Sequence, residues 1–110
     1  MGCLFCDMAS GKIGTEKLYE DDQIFVIKDI RPKAKIHLLV ISKKHIDSLL
    51  TVQEEHTELL GYMLSSLKNF AKDQNIGAFR TIINAGKGSG QEIFHLHFHL
   101  LGGGGPLPGF

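Results

Sequence analysis

The stretch His95-Leu96-His97-Phe98-His99-Leu100-Leu101 alternates histidine with large apolar residues. Alternation with a period of two predicts a β-strand with one buried face, because successive side chains point to opposite faces of a sheet. In such a strand the three imidazoles share one face, with neighbouring rings about 6.6–7 Å apart. Histidine has no marked preference for strands and changes charge near neutral pH. Three histidines in strict alternation therefore indicate a chemical site.

Two kinds of chemistry suit three imidazoles on one strand. His-x-His pairs on strands can bind zinc. Alternatively, a neutral imidazole can attack phosphorus, while a second imidazole steadies the phosphoryl oxygens or protonates the leaving group. The strand carries no carboxylate for a metal, and the glycine-rich turn 86–91 that precedes it has backbone amides able to bind phosphate. Nucleophilic catalysis at phosphorus is therefore favoured over metal binding by the triad.

Length and charge narrow the class of protein. A chain of 110 residues predicts one domain. Twelve basic and twelve acidic residues give no net charge, so neither nucleic acid nor an anionic membrane is expected as a partner. There is no apolar run of the ~18–20 residues that span a membrane and no secretory leader pattern. The expectation is a cytoplasmic protein in which Cys3 and Cys6 form no structural disulfide.

Hydrophobic patterns predict an α+β fold with a five-stranded, mostly antiparallel sheet, one long helix and one short helix. The predicted strands are 24–27, 37–41, 79–84 and 95–101, with a short one at 15–19. The long helix is expected to start at a capping box formed by Thr51 and Glu54 and to end near 73–75. It places His56 on a solvated face. The domain core is predicted at about 4–102, followed by a flexible Gly- and Pro-rich tail, 102–110.

Cys3 and Cys6 are two residues apart, a spacing usable for zinc or for redox exchange. Redox chemistry would favour a pair between a strand and a helix, whereas this pair opens the chain. Zinc needs two more ligands, and His45 and one triad histidine are available. Against both stands the reading of two small buried side chains. Zinc is favoured. His37, alone at the start of a strand, would by itself be taken as structural.

These residues resemble the histidine triad (HIT) superfamily, whose name describes the motif at 95–101. The resemblance covers nearly the whole chain and includes several further motifs in the same order and spacing. They are Tyr19–Asp22, Asp29-Ile30 with Pro32, His37–Ile41 with Lys43–Ile46, Asn84–Gly86, and Gly90-Gln91. The short Gly- and Pro-containing end resembles the Hint branch more than the longer dinucleoside polyphosphate hydrolases. The resemblance implies a HIT-like fold.

The resemblance also implies a homodimer whose sheets join across the interface and which binds a purine nucleotide such as AMP or an adenosine phosphoramidate. His97 would attack the α-phosphorus and become nucleotidylated, and water would then release the nucleotide. His99 would contact the phosphate and assist the leaving group. His37 matches a fourth histidine behind the triad, and His95 completes the catalytic set.

The expected nucleotide site draws on several further segments. Asp29 would hold the ribose hydroxyls, while Ile30 and Phe5 would wall the base. The phosphate would be contacted by the remaining members, which are Asn84, Gly90, Gln91, Glu92, His97 and His99. Glu92 stands where animal Hint proteins have a serine that serves the leaving group. A carboxylate there could give a proton to a leaving amine, but it would also repel phosphate.

Some members of the superfamily bind zinc, and the matching ligands here are Cys3, Cys6, His45 and His95. The resemblance thus implies a structural Zn²⁺ and no organic cofactor. The predicted function is hydrolysis of purine nucleoside phosphoramidates to AMP through a covalent nucleotidyl-histidine. The alternatives are a dinucleoside polyphosphate hydrolase, a non-catalytic nucleotide- or partner-binding protein, and a zinc hydrolase with the triad as ligands.

Overall fold

A computed structural model describes residues 2–109 and shows an α+β fold built on one five-stranded sheet. The strands are β1 (Tyr19–Glu20), β2 (Ile24–Lys28), β3 (Ile36–Ser42), β4 (Phe79–Ile82) and β5 (His97–Gly102). Their spatial order is β1-β2-β3-β5-β4, and all neighbouring pairs run antiparallel. One short helix, α1 (Leu4–Ala9), and one long helix, α2 (Thr57–Asp73), complete the fold. The predicted fold class is confirmed.

The central strands β3 and β5 divide the core into two layers. Leu38 pairs with Leu100 and Val40 with Phe98, and these side chains pack against α2 in the larger hydrophobic cluster. The intervening pairs, Leu39 with His99 and Ile41 with His97, point to the opposite face. There the aliphatic side chains of β2 and β3 cluster with Phe5 of α1. Alternation along β5 thus places apolar residues under the long helix and histidines on the face covered by α1.

The long helix begins later than its sequence pattern predicts. The capping box expected at Thr51 and Glu54 is wrong. Ser48 instead caps a 3₁₀ turn at Leu49–Thr51, where the Thr51 hydroxyl accepts the Ser48 N–H at 3.3 Å. A second 3₁₀ turn, Glu54–His56, leads into α2. The predicted solvated face for His56 is also wrong, because its ring is buried and Nδ1 accepts the Gln53 N–H at 2.9 Å.

Three other boundaries differ from the sequence prediction. The short strand predicted at 15–19 is limited to Tyr19–Glu20. The short helix begins directly after Cys3, which is its N-cap, and includes Cys6. The histidine strand starts at His97, two residues later than predicted, and β4 ends at Ile82. Before β5 the chain hydrogen-bonds locally, as His95 N–H does with the Ile93 carbonyl at 3.0 Å.

After β5 the chain turns back across β4. The Arg80 guanidinium donates to the carbonyl oxygens of Pro108 at 2.8 Å and Leu107 at 3.1 Å. These bonds hold the last described residues against the edge of the sheet, while the flexibility predicted for 102–110 stays a prediction. Across residues 2–109, no helix has the length and apolar character needed to cross a membrane.

Gly102 lies where β5 approaches the chain entering β4. A Cβ there would sit 2.7 Å from the Ala78 carbonyl oxygen and 3.0 Å from Ile76. We therefore expect Gly102→Ala to lower the free energy of unfolding by about 1–3 kcal/mol, the usual cost of overpacking. Gly61, exposed within α2 with open space around it, is the matched control. There Gly→Ala should raise stability by up to about 1 kcal/mol. Urea unfolding followed by circular dichroism measures both, and an unchanged midpoint for Gly102→Ala would contradict the packing argument.

Candidate active site and metal centre

The three triad histidines lie on the α1 face of the sheet, in contact with one another and with Phe5. The Phe5 ring packs edge-on against His95 and His97, with ring centroids 5.8 and 5.2 Å apart. The ring centroids of His97 and His99 are also 5.2 Å apart. His95 precedes the strand, yet its ring stays on the same face and is fully buried. The grouping predicted from alternation is confirmed.

His97 has a defined tautomer because of a main-chain contact. Its Nδ1 lies 2.7 Å from the carbonyl oxygen of His95. A carbonyl can only accept, so Nδ1 carries the proton and donates. In the neutral ring, Nε2 then holds the lone pair. His97 is therefore a nucleophile-ready imidazole whose reactive nitrogen is set by the backbone two residues earlier.

His99 is oriented by His37 in the same way. The backbone N–H of Lys33 donates to His37 Nδ1 at 3.1 Å, so neutral His37 carries its proton on Nε2. That Nε2 lies 2.9 Å from His99 Nδ1 and donates to it. The proton of neutral His99 is consequently on Nε2. The predicted position of His37 behind the triad is thus seen as a direct hydrogen bond.

Asp29 lies beside this pair, with Oδ2 3.4 Å from His37 Nε2. Its other oxygen accepts the Arg31 N–H at 2.8 Å. Asp29, His37 and His99 stand close enough together to suggest a metal site. The tautomer argues against one, because His37 already presents a proton, and not a lone pair, towards the other two groups. Only one triad residue, His95, lies in the chain's other candidate metal cluster.

The three triad histidines and His37 favour the neutral state. Burial is the main cause that lowers the pKa of His37, of His95 and of His97. Burial, followed by the positive charges that His97 and His37 would carry, lowers the pKa of His99 to about 4. Because neutral imidazole is the nucleophilic form, the apolar floor of the site keeps this chemistry available at pH 7.

The second cluster consists of Cys3, Cys6, His45 and His95, the four residues predicted as zinc ligands. The two ring Nδ1 atoms are 3.2 Å apart, and each lies 3.2–3.5 Å from both sulfur atoms. Tetrahedral zinc, with bonds of about 2.0–2.1 Å to nitrogen and about 2.3 Å to sulfur, has such edges at roughly 3.3–3.6 Å. The donor spacing fits that ion.

The protons of the two rings point away from this cluster. His95 Nε2 donates to the Ser42 carbonyl at 2.5 Å, and His45 Nε2 donates to the Asp47 carboxylate at 2.7 Å. Both Nδ1 atoms therefore turn lone pairs towards each other and towards the thiols. This arrangement is repulsive without a cation, and it matches the outer-shell contacts that orient zinc-bound histidine. Ser42 and Asp47 were not singled out from sequence, where no motif marks them.

The pKa of the Cys6 thiol also indicates a metal site. Burial, with the adjacent Cys3 thiol, raises the pKa of Cys6 to about 11. A thiolate at this position is disfavoured without a metal, whereas a coordinating metal deprotonates its thiol ligands. The Cys6 N–H donates to Cys3 Sγ at 3.3 Å, as expected for an N-cap sulfur. The four side chains thus form a closed, preorganised ligand set.

The glycine-rich turn lies between β4 and the histidines and contains a 3₁₀ turn, Lys87–Ser89. Gly86 and Gly90 adopt left-handed φ values of 92° and 100°, which favour glycine. The side chain of Gln91 is buried, with Oε1 accepting the Gly86 N–H at 2.8 Å. This part of the predicted nucleotide site is an ordered loop held by an internal amide.

The other predicted nucleotide contacts vary in exposure. Ile30 is 92% exposed and available to a ligand, and Glu92 is also exposed. Asn84 is half-buried directly after β4. Phe5 is buried beneath two histidine rings. Their roles towards a nucleotide stay predictions.

Comparisons with known proteins cover nearly the whole chain. The family described as "Scavenger mRNA decapping enzyme C-term binding" matches residues 2–107. Protein HitA of Neisseria gonorrhoeae is 46% identical over 101 residues, spanning 91% of this chain and 94% of that protein.

Solved structures agree with the sequence relatives. A HIT family hydrolase from Legionella pneumophila Philadelphia 1 shares 41% identity with a TM-score of 0.89, covering 93% of each chain. A Zn-bound histidine triad family protein from Mycobacterium smegmatis shares 31% identity with a TM-score of 0.77, covering 90% of this chain and 73% of that one. Sequence and fold agree, and the chain belongs to the histidine triad (HIT) superfamily.

Proposed function

We propose that this protein is a Hint-type hydrolase that cleaves purine nucleoside phosphoramidates to AMP through a nucleotidyl-His97 intermediate. The observation that carries the proposal is the His97 hydrogen bond to the His95 carbonyl at 2.7 Å. It leaves Nε2 unprotonated in a ring whose pKa burial lowers. A neutral, oriented imidazole is the form that attacks phosphorus. The hydrolase name of the Legionella neighbour supports the same class of reaction.

In the first half-reaction, His97 Nε2 attacks the α-phosphorus and the bond from phosphorus to the leaving nitrogen breaks. The leaving nitrogen accepts a hydrogen bond from His99 Nε2–H and takes its proton from solvent as it departs. The new N-phosphoryl imidazolium keeps its Nδ1 proton on the His95 carbonyl. That contact stabilises positive charge where it develops.

In the second half-reaction, water attacks the same phosphorus and gives its proton to solvent. The bond between phosphorus and His97 Nε2 breaks, which returns the neutral ring and releases AMP. Protons balance over the cycle, since the one consumed with the amine is regained from water. His37 acts by holding His99 in the required tautomer at 2.9 Å. Asp29, at 3.4 Å from His37, favours positive charge on this pair.

The binding roles in this proposal follow the arrangement of the exposed groups. Asp29 would accept from ribose hydroxyls, with exposed Ile30 beside the base and Phe5, which is buried beneath the His95 and His97 rings, behind it. The half-buried Asn84 and the amides of Gly90 and Gln91 would contact the phosphate. Exposed Glu92 would face the leaving group, where its charge disfavours polyphosphates and suits amines.

Two further assignments belong to the proposal. We assign Cys3, Cys6, His45 and His95 a structural zinc ion, which would cross-link the chain start to the catalytic strand. The Zn-bound Mycobacterium smegmatis neighbour supports this. We also assign a cytoplasmic homodimer, joined along edge strand β4, where Phe79 and Ile82 are each 40% exposed.

The first test is hydrolysis of adenosine 5′-phosphoramidate, run beside a dinucleoside triphosphate. Wild type should release AMP from the phosphoramidate, and His97→Ala should lose at least about 10³-fold in kcat/KM because the nucleophile is absent. His56→Gln, a buried histidine outside the site, is the control and should retain activity. Faster cleavage of the triphosphate would identify the dinucleoside polyphosphate hydrolase. AMP binding without turnover of either substrate would identify a non-catalytic binding protein.

Metal analysis separates the structural zinc from a catalytic one. We expect about one zinc per chain, lost in Cys3→Ser because a tetrahedral site loses one of its ligands. His97→Ala should keep its zinc, since His97 lies outside the four-residue cluster. Inductively coupled plasma mass spectrometry on dialysed protein gives the stoichiometry. Loss of zinc in His97→Ala would show instead that the triad binds the metal.

Stability should fall as the pH is lowered. The pKa of His99 is about 4 in the folded protein, whereas an unfolded histidine titrates near ~6.5. Between these values the unfolded state binds the proton and the folded state does not, so the free energy of unfolding decreases from pH 6.5 towards 4. His99→Gln should make this pH dependence shallower by up to about one proton. Urea midpoints from pH 7.5 to 4.5 measure it, and identical slopes would refute the assignment.

A further inference from the structure

We infer that Gln91 is a positioning residue that couples the metal centre to the glycine loop. Its side chain is only 4% exposed and makes three internal hydrogen bonds. The side-chain amide of Gln91 would thus act on a bound phosphate indirectly, by holding the loop whose backbone amides contact it. The inference rests on the proposed function, because it treats the cluster as a zinc site and the loop as a phosphate site.

At the glycine-rich turn, the side chain of Gln91 is hydrogen-bonded to the backbone of Gly86. Gln91 Oε1 accepts the Gly86 N–H at 2.8 Å, which closes the loop from its first residue to its last. The other bonds of the loop are short-range, such as Ser89 N–H to the Gly86 carbonyl and Gly90 N–H to the Lys87 carbonyl, both at 3.1 Å. Gly86 also packs closely under Leu50, whose Cδ1 would lie 2.9 Å from an added Cβ.

Towards the candidate metal cluster, the side chain of Gln91 is hydrogen-bonded to the backbone of Asp47. Gln91 Nε2 donates to the Asp47 carbonyl at 2.7 Å and to the Ile93 carbonyl at 3.0 Å. The carboxylate of the same Asp47 accepts from His45 Nε2 at 2.7 Å. Asp47 therefore accepts a hydrogen bond from the ring of His45 through its carboxylate and another from the side-chain amide of Gln91 through its main-chain carbonyl.

This connection gives a continuous path from the metal ligand His45 through Asp47 and Gln91 to Gly86. When one ligand orders its end of such a path, the other end also becomes more ordered. The second ligand then loses less conformational entropy on binding, so binding at each end favours binding at the other. By linkage, the factor by which Zn²⁺ strengthens AMP binding equals the factor by which AMP strengthens Zn²⁺ binding. A glutamine at this position suits the task because its amide presents a donor and an acceptor in opposite directions.

The experiment measures AMP affinity by calorimetry in zinc-loaded and chelator-treated wild-type protein, and amide exchange at Gly86 in both forms. We expect zinc to strengthen AMP binding by about fivefold or more. Zinc removal should also speed exchange at Gly86 relative to the Ile76 amide, which bonds to the Ala71 carbonyl far from both sites. Equal acceleration at the two amides would indicate general destabilisation and overturn the inference.

The variants are Gln91→Met, which removes all three bonds at similar volume, and Gln91→Glu, which keeps only the acceptor for Gly86. Both should bring the effect of zinc on AMP affinity below about twofold, a coupling under the usual allosteric range. Gln53→Met removes the same chemical group at an exposed site and should keep the full effect. Retained coupling in folded Gln91→Met overturns the inference. If Gln91→Met does not fold, Gln91→Glu and the wild-type exchange comparison decide.

These outcomes separate the two proposals. Wild-type protein that binds no AMP contradicts the proposed function, while Gly86 exchange with Zn²⁺ alone still tests the coupling path. Wild-type protein that binds both AMP and Zn²⁺ independently leaves the proposed function standing and rejects the role of Gln91.

Discussion

The antiparallel pairing of β3 with β5 is the constraint on which the site depends. Its register sets Leu39 opposite His99 and Ile41 opposite His97, so each imidazole of the strand lies against an aliphatic neighbour. A shift of one residue would turn the histidines under α2 and the leucines outward. The dry floor created by this register is also the main reason that the pKa values of His97 and His99 fall. Pairing geometry therefore determines both the placement and the protonation of His97 and His99, the proposed catalytic groups.

His95 joins the two halves of the site. Its ring turns Nδ1 to the thiols and Nε2 to the Ser42 carbonyl, while its own carbonyl accepts from His97. The ring therefore belongs to the candidate metal cluster, whereas the main-chain carbonyl sets the tautomer of His97, the proposed nucleophile. A strand makes this division natural, because the side chain and the carbonyl of one residue point in different directions. The three histidines of the motif consequently have three distinct tasks.

Much of this architecture follows from the sequence, because period-two alternation and clusters of branched residues are local signals. The strands at 24–27 and 37–41, the histidine face and the joint placement of Cys3, Cys6, His45 and His95 were predicted in that way or from family resemblance. The burial of His56 and of Gln91 could not be. Their burial depends on partners that no periodic pattern specifies, and for Gln91 one partner is 44 residues away in sequence. The predicted cap of α2 at Thr51 is also not formed, because Thr51 instead takes part in the capping box of Ser48 at the preceding 3₁₀ turn.

Main-chain groups, more than side-chain pairs, fix the protons of this site. The carbonyls of Ser42 and His95 and the amide of Lys33 determine the tautomers of His95, His97 and His37. Backbone donors and acceptors cannot exchange roles, whereas a hydroxyl or carboxyl partner could donate or accept as the pH changes. Anchoring each ring to the backbone therefore makes the reactive nitrogen a property of the fold. Of the three triad rings, only His99 has its tautomer set by another side chain. Its Nδ1 accepts from His37 Nε2 at 2.9 Å, which leaves its own proton on Nε2, the nitrogen proposed to assist the leaving group. Asp29 lies 3.4 Å from the same His37 nitrogen.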